Sequence, residues 1–144
     1  MAMNRDTSIT VNMLQLSGVS SSDANELARS GLPFGEIGHL LCHPKQGTEL
    51  TLAFDADVPL VVRAGQVIAL DGTDRLVNSS AVRFVRTVER YERYVHDVVG
   101  LDDAEGERVA ISAQADMRGI DGAAFADERA YWPIVCEQMV AGNL

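Results

Sequence analysis

Apolar and polar positions separate most cleanly between Asn78 and Gly100, NSSAVRFVRTVERYERYVHDVVG. Wound at ~100° per residue, Ala81, Phe84, Val85, Val88, Tyr91, Tyr94, Val95, Val98 and Val99 share one half of a cylinder. Arg83, Arg86, Glu89, Arg90, Arg93, His96 and Asp97 occupy the other half. The spacing predicts one long helix over about 79–99, capped by Ser79 or Asn78 and stopped at Gly100. Glu89 and Arg93, and Arg93 and Asp97, lie one turn apart and predict weak ion pairs along an exposed charged side. A strand would mix Arg, Glu and Val on both faces and run ~20 residues without a turn, far beyond ordinary strand length.

Upstream the period changes to two. TELTLAF alternates Leu50, Leu52 and Phe54 against Thr and Ala, and VPLVVR and QVIALD are short β-branched runs separated by Ala64-Gly65. Asp71-Gly72-Thr73-Asp74 is a turn, and Arg75-Leu76-Val77 a last strand before the long helix. A meander whose apolar face is covered by that helix defines an α+β class: one domain over 1–144, with an antiparallel or mixed sheet of about four to six strands. Nearer the N-terminus, Ser21 or Ser22 caps a short helix through DANELARS that ends at Gly31. Residues 7–15 alternate weakly, which fits an edge strand or an ordered lead-in, with 1–20 free to attach loosely. The run Phe34 to Pro44, FGEIGHLLCHP, fits a helical turn or a strand, and Gly35 and Gly38 weigh against a stable helix. After Gly100, LDDAEGE reads as an acidic connector. Residues 107–118 satisfy both periods, and their Ala and Gln content favours helix. The final DERAYWPIVCEQMVAG predicts a helix capped by Asp127, with Pro133 forcing a kink or a later start.

Composition narrows the function. With 47% hydrophobic and 23% charged residues the chain is of the soluble globular type. No run approaches the ~20 apolar residues of a membrane span. MAMNRDTSIT lacks the layout of a secretory signal, so the expected compartment is the cytoplasm. Cys42 and Cys136 follow no metal or redox spacing and are expected to be buried or idle thiols. The net charge of −9 repels nucleic acid and anionic membrane and favours a basic protein partner. Glu36-x-x-His39-x-x-Cys42-His43 would place two histidines one turn apart on a helix as metal ligands, but a third distant ligand is lacking. Packing of these side chains around a Gly-rich bend is the better reading, and neither a metal nor a cofactor is expected. Glu92, His96 and Asp97 with Ser79 or Ser80 make no catalytic set, and Gly31, Gly35 and Gly38 match no phosphate loop. No catalytic residue and no enzymatic activity are therefore expected.

The order of pieces carries a resemblance. Val77-Asn78-Ser79-Ser80 followed by Phe84 and the long helix, Gly65 to Asp71 just upstream, and Asp121 with Phe125 and Trp132 in the closing segment resemble the SUKH superfamily of bacterial immunity proteins over about 24–144. Between Pro33 and Phe54 no family pattern is matched. The resemblance implies an α+β domain that binds and neutralises a cognate toxin, often a nuclease or nucleotide-modifying toxin delivered between bacteria, by surface complementarity.

Contact residues for such a basic toxin are expected among the acids of the strand loops, Asp55, Asp57, Asp71 and Asp74, and of the connector, Asp102, Asp103 and Glu105. The alternative is a small-molecule-binding or enzymatic domain with a pocket between sheet and long helix, lined by Tyr91, Tyr94 and His39.

Overall fold

The computed structural model describes residues 3–144. Strand β1 (Arg5–Asp6) leads into helices α1 (Val11–Leu16) and α2 (Ser21–Ser30), followed by strands β2 (Leu32–Pro33), β3 (Gly35–Ile37), β4 (Leu40–Gln46), β5 (Leu50–Asp55), β6 (Val58–Arg63), β7 (Gln66–Leu70) and β8 (Asp74–Asn78). Helices α3 (Ala81–Asp97) and α4 (Asp103–Ile120), a 3-10 turn at Gly122–Phe125 and helix α5 (Tyr131–Ala141) complete the chain. β3 to β8 form one antiparallel meander in sequence order, and β1 pairs with β2 apart from it. The architecture is α+β, as the pattern predicts.

The sheet faces follow from the two-residue period. Leu40, Cys42, Leu52, Leu60, Val67, Ala69 and Val77 point into one core together with Phe84, Val88 and Tyr91 of α3, while Leu41 on the opposite face stays exposed. The ambiguous run from Phe34 to Pro44 resolves into the β3–β4 hairpin, because Gly38 takes φ 56° at its turn. A Cβ at Gly38 would collide with the Tyr91 hydroxyl, so the hairpin packs against α3 only with glycine there. Gly18 and Gly65 approach as closely: a Cβ on Gly65 would lie 2.6 Å from the Gly18 carbonyl oxygen, and Gly65 N–H donates to the Ser17 carbonyl at 2.9 Å.

Residues 7–15 do not form the edge strand that weak alternation allows. Thr10 Oγ1 accepts from Met13 N–H and caps α1, while Ile9, Leu14 and Val19 enter the core. Capping also differs at α3, where Ser80, not Ser79 or Asn78, accepts from the Arg83 N–H. The acidic connector is helix: Asp102 caps α4 by accepting from Glu105 N–H at 2.8 Å, and Ala110, Ala113 and Met117 form its buried stripe. This settles 107–118 as helix and leaves Ile111 exposed. α5 starts late, at Tyr131 with Ala130 as a cap that lends no side-chain bond, in place of Asp127. Pro133 thus falls in the first turn, where its missing N–H breaks no intrahelical bond.

The charged side of α3 is not wholly exposed. Arg90 is only 9% exposed and pairs with Asp116 of α4, because α4 packs over that part of the helix. The ion pairs expected within α3 are absent among the described residues; Glu89 pairs instead with Arg5, and Arg93 approaches Asp116. Val99, placed on the apolar half by helical spacing, is exposed because the helix has ended at Asp97.

Asn78, Ser79 and Asp121 hold the two halves of the chain together. The buried Asp121 carboxylate accepts from Asn78 Nδ2 at 3.0 Å, Ser79 N–H at 2.8 Å and Ser79 Oγ at 2.8 Å. Asn78 Nδ2 also donates to Thr87 Oγ1 at 3.2 Å, and its Oδ1 accepts from Trp132 Nε1 at 2.9 Å. The end of the sheet, the start of α3, the end of α4 and the start of α5 thereby meet on two side chains. Replacing Asp121 by Ala strands these donors and should cost about 3 kcal/mol or more, against about 1 kcal/mol for Ser80→Ala at the exposed cap. Urea unfolding of the two variants checks the difference; equal losses would contradict it.

Candidate partner-binding surface

In an antiparallel meander alternate turns open at the same end. The β3–β4, β5–β6 and β7–β8 turns therefore share one end of the sheet, since Leu40 pairs with Asp55 and Leu70 with Asp74. Asp55 and Asp57 flank Ala56, held at φ 53° in the β5–β6 turn, while Asp71 and Asp74 bracket the β7–β8 turn. Asp102, Asp103 and Glu105 form a second group at the start of α4, beside a groove bounded by Tyr94, Val98 and the end of α5. The seven acids thus fall into two sets.

Their freedom to meet a partner differs. Asp71 pairs with Arg75, and Asp74 pairs at 2.7 Å with Arg63, which also holds Glu49. Asp102 is spent on its helix cap, and its pKa lies below the usual carboxylate range because the Glu105 backbone N–H bonds to it. Asp55 is tied inward. Asp57, Asp103 and Glu105 take part in no ion pair among the described residues, and all three are exposed.

Asp55 ends a polar chain that periodicity alone does not reveal. Tyr131 OH donates to Asp55 Oδ2 at 2.9 Å, so its oxygen accepts from His39 Nε2–H at 2.8 Å. His39 Nδ1 then accepts from Tyr91 OH at 2.6 Å. This order of donors fixes the tautomer with the proton on Nε2. Burial lowers the His39 pKa most, and the nearby Asp55 charge opposes it. Burial likewise pushes the Tyr91 phenol up to about 12 and raises Tyr131 further, so both rings act as neutral hydrogen-bonding groups at neutral pH.

The same packing bears on two features read from the sequence. His39 meets Tyr91 edge-to-face at 5.4 Å, and Tyr91 lies 6.3 Å from Tyr94 and 5.6 Å from Trp132. These rings pack together between sheet and long helix, while Tyr94 also borders the groove at the start of α4. The Glu36, His39, Cys42 and His43 set lies on a hairpin, not on a helix, so Cys42 points into the core while Glu36 and His43 face solvent. Among the described residues no three His, Cys, Asp or Glu side chains could hold a metal ion. Burial pushes both thiols, Cys42 and Cys136, up to about 12, which leaves them unreactive.

The Tyr131–Asp55 contact leaves no trace in periodicity because the two residues lie 76 positions apart. The signal that was present is the density of ring hydroxyls, Tyr91, Tyr94 and Tyr131, around a single histidine on a turn. Arg90 was readable only as one more member of a charged stripe.

Helices cover the sheet on its α3 side, aromatic rings pack between them, and exposed acids lie at the margins. The chain belongs to the SUKH-4 immunity protein family, which matches residues 37–138. The match begins at the end of β3 and so takes in most of the segment between Pro33 and Phe54, in which no family pattern is legible. Membership gives the chain the role of a bacterial immunity protein, whose partner is a toxin protein. Neither a curated protein nor a solved structure matches the chain.

The His39 chain makes stability depend on pH. Because burial holds the folded-state pKa below the ordinary 6.5, the unfolded chain takes up this proton more readily. The contribution is complete above about pH 6.5 and is lost as the pH falls through the folded value. Urea midpoints measured from about pH 7.5 down to about pH 5 should fall more steeply for the native chain than for His39→Gln. Parallel profiles would show that His39 does not govern this loss.

Proposed function

We propose that this chain neutralises a cognate toxin of basic charge, a nuclease or nucleotide-modifying enzyme, in the cytoplasm of the cell that makes both. The family match over 37–138 carries the reading. The net charge of −9 supports a basic partner and disfavours nucleic acid or anionic membrane as the thing bound. No described helix is long and apolar enough to cross a membrane. Inhibition is by occupation of the toxin's surface and needs no chemistry from this chain.

Of the expected contacts, Asp57, Asp103 and Glu105 are best placed to meet basic side chains, since each can form an ion pair without first breaking an internal one. Asp55, Asp71, Asp74 and Asp102 add to the field that draws the toxin in, while their direct contacts compete with Tyr131, Arg75, Arg63 and the α4 cap. Charge reversal at Asp71 or Asp74 would confound binding with lost internal pairs. Asp57 is the cleaner probe.

Passing a lysate of the source bacterium over the immobilised chain should retain one basic domain that arrests growth when expressed alone, and co-expression of the chain should restore growth. Retention of nothing that poisons cells would sink the reading. With that toxin in hand, Asp57→Lys should slow association about tenfold at low salt, and the difference should shrink near ~150 mM, where charges beyond about 8 Å are screened. Unchanged association kinetics would remove Asp57 from the interface.

A further inference from the structure

One surface groove carries a charge opposite to the chain's net balance. A groove of about 560 Å³ between these helices is lined by Arg86, Glu89, Arg90, Arg93 and Asp116, with Ala115, Gly119 and Ile120 as small or apolar floor. Two of its charges are already matched from outside it: Glu89 by Arg5 at 2.9 Å and Arg86 by Glu26 at 3.6 Å. Arg90 and Arg93 are left to share the single carboxylate of Asp116, at 2.7 and 3.8 Å. One positive charge remains uncompensated there, in a chain whose net charge is −9.

Arg90 shows where that charge is unmet. Its side chain is 91% buried, its Nε donates to Asp116 Oδ2, and its Nη1 is shut from solvent with no hydrogen-bond partner. It is the sole buried side-chain nitrogen or oxygen in that condition among the described residues. A buried donor without an acceptor is costly, the more so when charged, so an acceptor that reaches it gains binding free energy.

We propose that this groove is a carboxylate-binding site centred on Arg90, with Arg93 at its rim. Asp116 takes the Nε side of the guanidinium, and the end that carries Nη1 remains for a second carboxylate in the paired geometry that arginine favours. Arg90 lines the groove, and a small rotation of its guanidinium would carry Nη1 from its buried position to a bound carboxylate, with the exposed Arg93 at the rim for the first contact. A single negative charge balances the groove. A doubly charged phosphate would leave it negative within an already acidic chain, and a polyanion would be repelled by the remaining surface. The site stands on its own observations and is independent of the immunity reading.

The test uses the whole chain, with acetate, N-acetylglutamate amide and inorganic phosphate titrated separately at constant ionic strength while the Arg90 Nε–Hε resonance is followed. Both carboxylates should shift it saturably. Arg93→Gln should weaken this several-fold, and Asp116→Asn, which removes the internal competitor, should tighten it about tenfold, as loss of one like charge next to the ligand allows. Tighter binding of the glutamate derivative than of acetate would identify the ligand as an acidic side chain; equal binding would identify a free small acid. No saturable shift in either the native chain or Asp116→Asn, or saturation by phosphate alone, would overturn the proposal. A merely structural Arg90–Asp116 pair would show itself as lost stability in Asp116→Asn with no gain in carboxylate affinity.

Discussion

One carboxylate decides how the two halves of this protein meet. Asp121 lies at the end of α4, 42 residues beyond Ser79, yet it accepts the Ser79 backbone and hydroxyl hydrogens and the Asn78 amide at once. A buried carboxylate is tolerated only when donors surround it, and here the donors come from the one point where the sheet turns into the long helix. Because Asn78 also receives Trp132 Nε1, the last helix is held against the same spot. The network is fully satisfied, and a satisfied buried network specifies a single arrangement in a way that apolar contact alone does not.

A second tie acts at the other end of the sheet. His39 on the β3–β4 turn bonds to Tyr91 of α3 and Tyr131 of α5, and Tyr131 passes the contact on to Asp55 at the β5–β6 turn. The β3–β4 and β5–β6 turns are therefore held by the interior and do not hang free. For a protein whose family works by binding, such anchoring keeps the surface in shape before the partner arrives, which lowers the ordering cost of association.

How much of this was legible follows from which interactions are local. The long helix, the strands between Leu50 and Val77 and the α2 stop at Gly31 rest on periodicity and turn chemistry within a few residues, and all are present. Asn78, Ser79 and Asp121 stood out through resemblance, but their bonding did not, because contacts across 42 or 43 positions leave no periodic trace. Short-range patterns also misled where two periods overlapped. Residues 7–15 follow the cap at Thr10, not the weak alternation, and the acidic connector turned out to be a helix start because Asp102 is a good N-cap. The candidate acids were identified as residues, but four of the seven have internal partners that only the folded chain reveals.

Native-state hydrogen exchange at the Ser79 amide tests the central claim most directly. That N–H donates to Asp121, not to a helix or strand partner, and if the carboxylate joins the halves it should exchange only through global unfolding, with the same free energy as the core amides of β7 and α5. Exchange at the much lower free energy of a fraying helix end would contradict the account and make the Asp121 network a local ornament of the α3 start.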